Sequence, residues 1–270
     1  MLKPLFDLTG KTVVVTGGSR GLGLQIAEAV CEYGGNVVLV ARHREALEAA
    51  AKQLRSAAGG AGASGREGAS GRVEIVAADL GDPAVAANVI DQAAGCFGGI
   101  DVLVNNAGRS WASPAETYPL ARWEQVMTIN STLPFLLARE VGQRYFIPRR
   151  TGKILNISSL GGLRGNRPDL GMNVLAYNAS KSALIGLTRA LAGEWGQFNI
   201  NVNALCPGFF PTQLAATAID AFKDKLLPTI PLGRFGGGED LKGAALLLIS
   251  EAGRHITGQC IVVDGGAAAV

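Results

Sequence analysis

The chain has 270 residues, 48% of them hydrophobic, and a formal net charge of only +3. That size suits one large α/β domain, and the balance calls for neither nucleic acid nor an anionic membrane as partner. Cys31, Cys96, Cys206 and Cys260 are widely spaced with no Cys-x-x-Cys pair, and His43 and His255 stand in no ligand pattern. Free, mostly buried thiols and no metal site are therefore expected. No apolar stretch reaches the ~18 residues of a membrane span and no signal-like run opens the chain, so a soluble cytoplasmic protein is expected.

Lys11 to Thr16 is a β-branched run that predicts a buried strand, and Gly17-Gly18-Ser19-Arg20-Gly21-Leu22-Gly23 follows at once. Ile26, Ala27, Val30 and Cys31 recur at helical spacing, Tyr33-Gly34-Gly35 ends that helix, and Asn36 to Val40 supplies a second strand. Glycine is needed in such a turn because side chains would keep a phosphate from the amides at the helix N-terminus. The unit is therefore a candidate dinucleotide site, against the alternative of an ordinary tight turn. An acid at the end of the second strand would bond the adenosine ribose, whereas here Ala41 and Arg42 stand there, with Arg20 in the turn. Two cations able to meet a 2′-phosphate favour NADP(H) over NAD(H).

A helix from about Arg44 to Ala57 gives way to a Gly/Ala/Ser-rich tract, 58–71, too poor in apolar bulk to pack and read as a mobile surface loop. Arg72 to Ala77 is a third strand, followed by Asp79-Leu80 and a helix over Val85 to Cys96. Asp79 is a candidate for the adenine amino group, and Asp82 before Pro83 for a helix cap. Ile100 to Val104 is a fourth strand, closed by Asn105-Asn106-Ala107-Gly108 at the end where open α/β sheets bind ligands. Helices are expected at Leu120 to Thr128 and Ile129 to Gly142; Asn130 is poorly placed for a helix interior, which suggests that its polar groups are used.

Gly152 to Ser159 reads as a fifth strand, Leu160 to Val174 as a loop, and Ala183 to Gly193 as a helix. Ahead of it, Tyr177 and Lys181 are four residues apart, so a helix would put both on one face, where a cation beside a phenol favours the phenolate. Ile200 to Cys206 is a sixth strand, Pro207-Gly208-Phe209-Phe210-Pro211-Thr212 turns the chain away, and 209–238 forms a lid with a helix at Thr212 to Leu227. A helix at Asp240 to Ser250 and a strand at Gln259 to Val263 complete the pattern. This alternation predicts one Rossmann-type, doubly wound parallel sheet of about seven strands with helices on both faces.

Taken together, Thr16 to Gly23, Asp79, Asn105 to Gly108, Asn130, the serines ahead of Tyr-x-x-x-Lys, and Pro207-Gly208 resemble the short-chain dehydrogenase/reductase family over roughly Leu8 to Gly266. The resemblance implies a catalytic set of Asn130, Ser159, Tyr177 and Lys181. Tyr177 would exchange a proton with a carbonyl or alcohol oxygen, Lys181 would lower its pKa and hold the nicotinamide ribose, Ser159 would bond the substrate oxygen, and Asn130 would steady a water chain. Cofactor contacts would come from Gly17, Ser19, Arg20, Gly21, Leu22, Gly23, Arg42, Asp79, Leu80, Asn106, Ala107, Gly108, Pro207, Gly208, Phe210 and Thr212, besides Tyr177 and Lys181.

The expected activity is NADP(H)-dependent reduction of a ketone to a secondary alcohol, on a substrate of 3-oxoacyl type. The alternatives are a sugar-acid oxidoreductase of gluconate 5-dehydrogenase type and a non-catalytic NADP-binding regulator. A homotetramer or homodimer is expected, by resemblance, through the helices near Leu120 to Gly142 and Ala176 to Gly193. The long loop between Ser159 and Tyr177 carries Arg164, Asn166 and Arg167; an arginine there is a candidate receptor for an acidic part of the substrate or else a solvated charge. Trp111 and Phe209 are candidate apolar walls of the substrate pocket or else core residues.

Overall fold

The computed structural model describes residues 5–58, 71–165, 172–212 and 216–270, with side chains 58 and 216–218 left aside. Most of the glycine-rich tract, together with Asn166, Arg167 and 213–215 of the expected lid, lies outside the described residues. Seven parallel strands form one sheet in the order β3-β2-β1-β4-β5-β6-β7: β1 Thr12–Thr16, β2 Asn36–Ala41, β3 Val73–Ala77, β4 Val102–Asn105, β5 Gly152–Ile157, β6 Ile200–Pro207 and β7 Cys260–Val263. The helices are α1 Gly21–Glu32, α2 Arg44–Ala58, α3 Ala86–Phe97, α4 Leu120–Met127, α5 Leu133–Val141, a short α6 Ile147–Arg149, α7 Leu175–Trp195, α8 Ala216–Leu226 and α9 Lys242–Ile249.

Alternate strand residues feed two cores, as a sheet covered on both faces requires. Val13 and Val15 pack with Ile26, Val30 and Leu246, whereas Val14 points the other way, to Val89, Leu103 and Leu137. The chain leaves β1 towards β2 on one side and returns to β4 on the other, so the sheet has a topological switch between β1 and β4. Ligand crevices of doubly wound sheets open there, outside the carboxyl ends of the strands. Among the described residues no helix is long and apolar enough to cross a membrane.

Element boundaries depart from the sequence reading in three informative places. The two helices expected over 120–142 are one continuous run to Arg149, interrupted by π-helical turns at Thr128–Thr132 and Gly142–Phe146. Pro134 and Pro148, which have no N–H, lie four residues beyond Asn130 and Arg144. Each therefore withholds the donor an α-helix would bring to the earlier carbonyl, and the run widens instead of breaking. Helix α7 begins at Leu175, eight residues before the expected start at Ala183, and so carries Tyr177 and Lys181 within it. β5 ends at Ile157; Ser158 N–H still donates to Leu205 O, and Ser159 then leaves the sheet to cap a 3-10 turn at Leu160–Gly162.

Beneath the crevice the sheet is polar. Asn105 and Asn156 are partners in the β4–β5 register; Asn105 Nδ2 donates to Asn156 Oδ1 (2.9 Å), and Asn156 Nδ2 to Thr188 Oγ1 on α7 (2.9 Å). Thr188 Oγ1 in turn donates to Leu184 O (2.8 Å), and Asn105, Asn156 and Thr188 are all buried. A buried ladder of this kind is sensitive to losing a member, because each orphaned polar group costs about 1–3 kcal/mol. Asn156→Leu removes a partner from both neighbours, so a loss of about 3 kcal/mol is expected in urea unfolding; a change below about 1 kcal/mol would show that the ladder contributes little.

Candidate active site

The crevice is stitched from both sides of the switch point. Thr16 Oγ1, at the end of β1, donates to Val104 O (3.1 Å) and accepts from the N–H groups of Asn106 (3.0 Å) and Ala107 (3.1 Å) beyond β4. Asn106 Nδ2 replies by donating to Thr16 O (2.9 Å) and Gly17 O (3.2 Å). Gly17 has φ +64°, and a Cβ on it would lie 2.9 Å from Asn106 Nδ2 and 3.0 Å from Ala107 Cα. The two turns thus approach to a separation that only glycine permits. Gly23, one turn into α1, is pressed against Gly17 O and Asn106 Nδ2 in the same way.

Arg20 is the N-cap residue of α1, yet makes no side-chain cap bond, and the first turn holds no acid. The helix N-terminus therefore keeps its donors and its positive dipole end for an external anion. Ser19 is half-buried, Arg20 is exposed, and Gly21 (φ +57°) faces Thr212, whose Cβ and Cγ2 would be 3.4 Å from a Cβ placed there. Leu22 packs on the core. Arg42 is exposed past the end of β2, with Nε donating to His43 Nε2 (3.1 Å). Asp79 is exposed and accepts from Gly81 N–H (3.0 Å), while Leu80 is buried. Pro207 ends β6, Gly208 abuts Asp264 (a Cβ would be 2.6 Å from its Cβ), Phe210 is buried, and Thr212 N–H donates to Phe210 O (2.7 Å).

Asn130, fully buried in the first π-helical turn, clamps the backbone that follows β4. Its Oδ1 accepts from Arg109 N–H (2.9 Å), and its Nδ2 donates to Arg109 O (2.9 Å) and to Ser180 Oγ on α7 (2.9 Å). Ser180 Oγ donates to Tyr177 O (2.7 Å), and Ser131 Oγ to Ser180 O (3.0 Å). One asparagine thus fixes the Gly108 turn relative to the helix that carries Tyr177 and Lys181. A Cβ on Gly108 would lie 3.1 Å from Asn130 Oδ1 and 3.6 Å from Lys181 Nζ, so glycine there keeps the approach to the amine open.

Ser159 Oγ accepts from Gly161 N–H (3.1 Å) and lies beside the Tyr177 hydroxyl, whose pKa it lowers, while Ser158 Oγ turns inward and donates to Lys181 O (2.9 Å). The two serines face opposite ways. Lys181, 4% exposed, donates from Nζ to Ile157 O (2.7 Å) and lies 5.6 Å from the centre of the Tyr177 ring. The electrostatics differ from the expectation that Lys181 acidifies Tyr177. Burial pushes the phenol above its ordinary value, with the Ser159 hydrogen bond pulling the other way, and burial pushes Lys181 down to about 8. Lys181 Nζ is turned to the Ile157 carbonyl, and burial outweighs the other influences on the phenol.

The substrate side of the crevice was only partly visible in the sequence. Trp111 is 40% exposed with the Arg122 guanidinium 4.2 Å from its ring centre, and Phe209 packs between two small clusters containing Leu160, Ile230, Ile219 and Leu226. Arg164 Nη1 donates to Ala267 O (2.6 Å), tying the loop after Ser159 to the last residues of the chain. The hydrogen-bonding roles of Thr16 and Asn105, both within motifs already singled out, and of Ser180, Asn156 and Thr188 were missed. For Thr16, Asn105 and Asn156 the available signal was polar residues inside strand patterns that should be apolar throughout.

A family model described as enoyl-(acyl carrier protein) reductase matches residues 17–268. The gluconate 5-dehydrogenase of Gluconobacter oxydans is 36% identical over 264 residues, covering 97% of this chain and 96% of the relative. The rhamnolipids biosynthesis 3-oxoacyl-[acyl-carrier-protein] reductase of Pseudomonas aeruginosa is 34% identical, covering 98% and 99%. A Beutenbergia cavernae structure, solved as a candidate NAD(P) dependent gluconate 5-dehydrogenase with NADP bound at low occupancy, superposes with a TM-score of 0.88 at 37% identity, covering 99% of this chain and all of its own. The chain belongs to the short-chain dehydrogenase/reductase family and is an oxidoreductase that interconverts C=O and CH–OH groups with NAD(P)(H).

The Lys181 shift gives a prediction with a definite sign. Burial pushes Lys181 down to about 8 in the folded chain, from 10.5 for an ordinary lysine. Between those values the unfolded chain holds a proton that the folded chain has released, so stability gains from rising pH; below 8 both states are protonated and the gain is absent. Subtracting the unfolding free energy of Lys181→Met cancels groups common to both, including Tyr177. The wild-type minus variant difference should be flat below pH 8 and climb towards pH 10.5. A flat line across the whole range would refute the shift.

Proposed function

We propose that the protein is an NADP(H)-dependent oxidoreductase of the gluconate 5-dehydrogenase type, acting on a secondary alcohol or ketone of a small sugar acid. The observation that carries the chemistry is the contact between Ser159 and Tyr177, with the Lys181 amine 5.6 Å from the Tyr177 ring, at the carboxyl ends of the central strands. Two hydroxyls converging on one point can hold a single substrate oxygen, one of them as proton donor or acceptor. The sugar-acid substrate rests on the relatives from Gluconobacter oxydans and Beutenbergia cavernae. A 3-oxoacyl substrate is the second reading, favoured by the Pseudomonas aeruginosa relative, which covers the chain as fully.

The residues present fit a dinucleotide. The glycine turn would cradle its phosphates at the uncapped N-terminus of α1, Arg20 and Arg42 would meet a 2′-phosphate, and Asn106 to Gly108 with Lys181 would border the nicotinamide ribose. When bound, NADP(H) supplies or accepts the hydride. In reduction, Tyr177 gives its proton to the carbonyl oxygen while Ser159 donates a hydrogen bond to the same oxygen; in oxidation Tyr177 takes the alcohol proton. Lys181 would hold the ribose, and Asn130 keeps Gly108 and α7 in register. The site set suits catalysis rather than a regulator that only binds the nucleotide, because nucleotide binding has no use for a Ser159–Tyr177 pair.

The test is a panel containing gluconate, other aldonates and their keto forms, and an acetoacetyl thioester, assayed in both directions with each nucleotide. Sugar-acid turnover should exceed thioester turnover in kcat/KM, and Tyr177→Phe should lose at least about 100-fold in kcat, the usual contribution of a positioned acid–base group. Preferential turnover of the thioester would transfer the assignment to the second reading. Binding of NADPH without turnover of anything would remove both. For Arg42→Ala, KM for NADPH should rise about tenfold or more with KM for NADH little changed, since a charge-assisted contact contributes about 1.5–3 kcal/mol. Equal changes for both nucleotides would deny Arg42 its selective role.

A further inference from the structure

A cavity of about 540 Å³ opens at the opposite end of the sheet, lined by Thr151, Gly152, Lys153, Asn199, Asn201, Glu251, Arg254 and His255. It lies at the amino ends of β5 and β6, where Lys153 and Asn201 are register partners. At about 3.3 Å per residue, the span from Lys153 to Ser159 is roughly 20 Å, so the cavity is separate from the catalytic crevice.

Its floor is built. A lysine so near the start of a central parallel strand is out of place by pattern, and it is held: Lys153 Nζ donates to Asn201 Oδ1 (3.0 Å). Asn201 Nδ2 donates to Arg254 O and Ile256 O (both 3.1 Å), and Asn203 Nδ2 to Ile256 O (2.7 Å). These asparagines fasten the loop before β7 over the strand ends, and that loop carries Arg254 and His255 to the rim. Burial holds the Lys153 pKa below its ordinary value, Glu251 raises it and Lys11 lowers it further.

The charge is unbalanced. Asp101, the acid at the neighbouring strand start, is already engaged by Arg149 (2.7 Å), Lys11 (3.6 Å) and Thr12 N–H (2.9 Å). Glu251 is the one carboxylate in the lining, against Lys153, Arg254 and His255. Among the described residues, neither Arg254 nor His255 makes a side-chain hydrogen bond or ion pair. Lys153 has donors beyond the one spent on Asn201, and Arg254 offers five, more than one carboxylate can accept and well matched to a phosphate. Ligand pockets run to about 300–1,000 Å³, so this volume has room for more than a bare phosphate.

We propose that this cavity binds the phosphate group of a small phosphorylated metabolite, of about sugar-phosphate size, between Lys153 and Arg254. The site is distinct from the nucleotide crevice and requires no particular substrate for the oxidoreductase.

The experiment is calorimetric titration of glucose 6-phosphate, inorganic phosphate and glucose into the full chain saturated with NADP+, so that phosphate receptors in the glycine turn are covered. Glucose 6-phosphate should bind with submillimolar affinity and glucose should not, and Arg254→Ala and Lys153→Met should each weaken binding at least tenfold. Arg254 is exposed and not part of the catalytic set, so Arg254→Ala should keep wild-type turnover, which also certifies its fold. A repeat on Arg20→Ala/Arg42→Ala without nucleotide keeps the result independent of whether NADP+ binds. Binding of inorganic phosphate with the same variant sensitivity supports a phosphate receptor. No binding by either anion, or glucose 6-phosphate binding undiminished in both variants, overturns it.

Discussion

The active-site half of this molecule depends on the hydrogen-bonded junction between the end of β1 and the end of β4. A doubly wound sheet necessarily has a gap where the connections diverge, and the strand-end amides there have no helix to cap them. Thr16 and Asn106 close that gap with side chains, each bonding the backbone of the other's turn. The closure is tight enough to require glycine at positions 17 and 23, and it presses the first turn of α1 against Asn106. The shape of the turn at the start of α1, where a phosphate is proposed to sit, is thus a consequence of how two strands are joined, not an independent feature of a glycine-rich loop.

From that junction the geometry is passed to Ser159, Tyr177 and Lys181 by a second polar chain. Asn130 grips both backbone groups of Arg109, just past the Gly108 turn, and bonds Ser180 on α7. The π-helical turn places Asn130 in this position, and Pro134 accounts for the turn by denying the donor that a regular helix would supply. Below it, the Asn105–Asn156–Thr188 ladder links β4, β5 and α7. Polar groups buried at such density stabilise little in total compared with an apolar core, but each excludes alternative packings that would leave it unpaired. What they hold is the placement of Tyr177 and Lys181 relative to Ser159.

Much of this was legible in the sequence, for identifiable reasons. The seven strands are short β-branched runs separated by helical patterns, so the parallel sheet follows from alternation alone, and motif order marked the glycine turn and the Tyr177–Lys181 pair. The unread features were those in which one residue changes the backbone or burial of another. Nothing at Asn130 itself announces a widened turn, since its cause is Pro134, one helical turn further on. The start of α7 was placed too late because Tyr177-Asn178-Ala179-Ser180 lacks an apolar period, although Ala176 and Ser180 are buried there by contact with other elements. Ser159 looked like a strand end because it follows a strand pattern, but its backbone leaves the sheet to cap the next turn.

The least legible property was electrostatic. Proximity of a cation to a phenol suggests an acidic phenol, and the spacing of Tyr177 and Lys181 invites that inference. Proximity, however, also implies shared burial, and burial acts on both groups in the direction that favours neutrality: it raises the phenol and lowers the amine. With Nζ turned to the Ile157 carbonyl, the second effect wins. The consequence for the proposed chemistry is directional. A raised phenol holds its proton more firmly, and under the proposed chemistry that is the form carbonyl reduction would use, whereas alcohol oxidation would need the form that has lost it. Positive charge brought nearer the hydroxyl, as by movement of Nζ away from Ile157, would favour the phenolate. Which protonation state Tyr177 would present to a substrate therefore rests on where the Lys181 ammonium sits between the Ile157 carbonyl and the phenol.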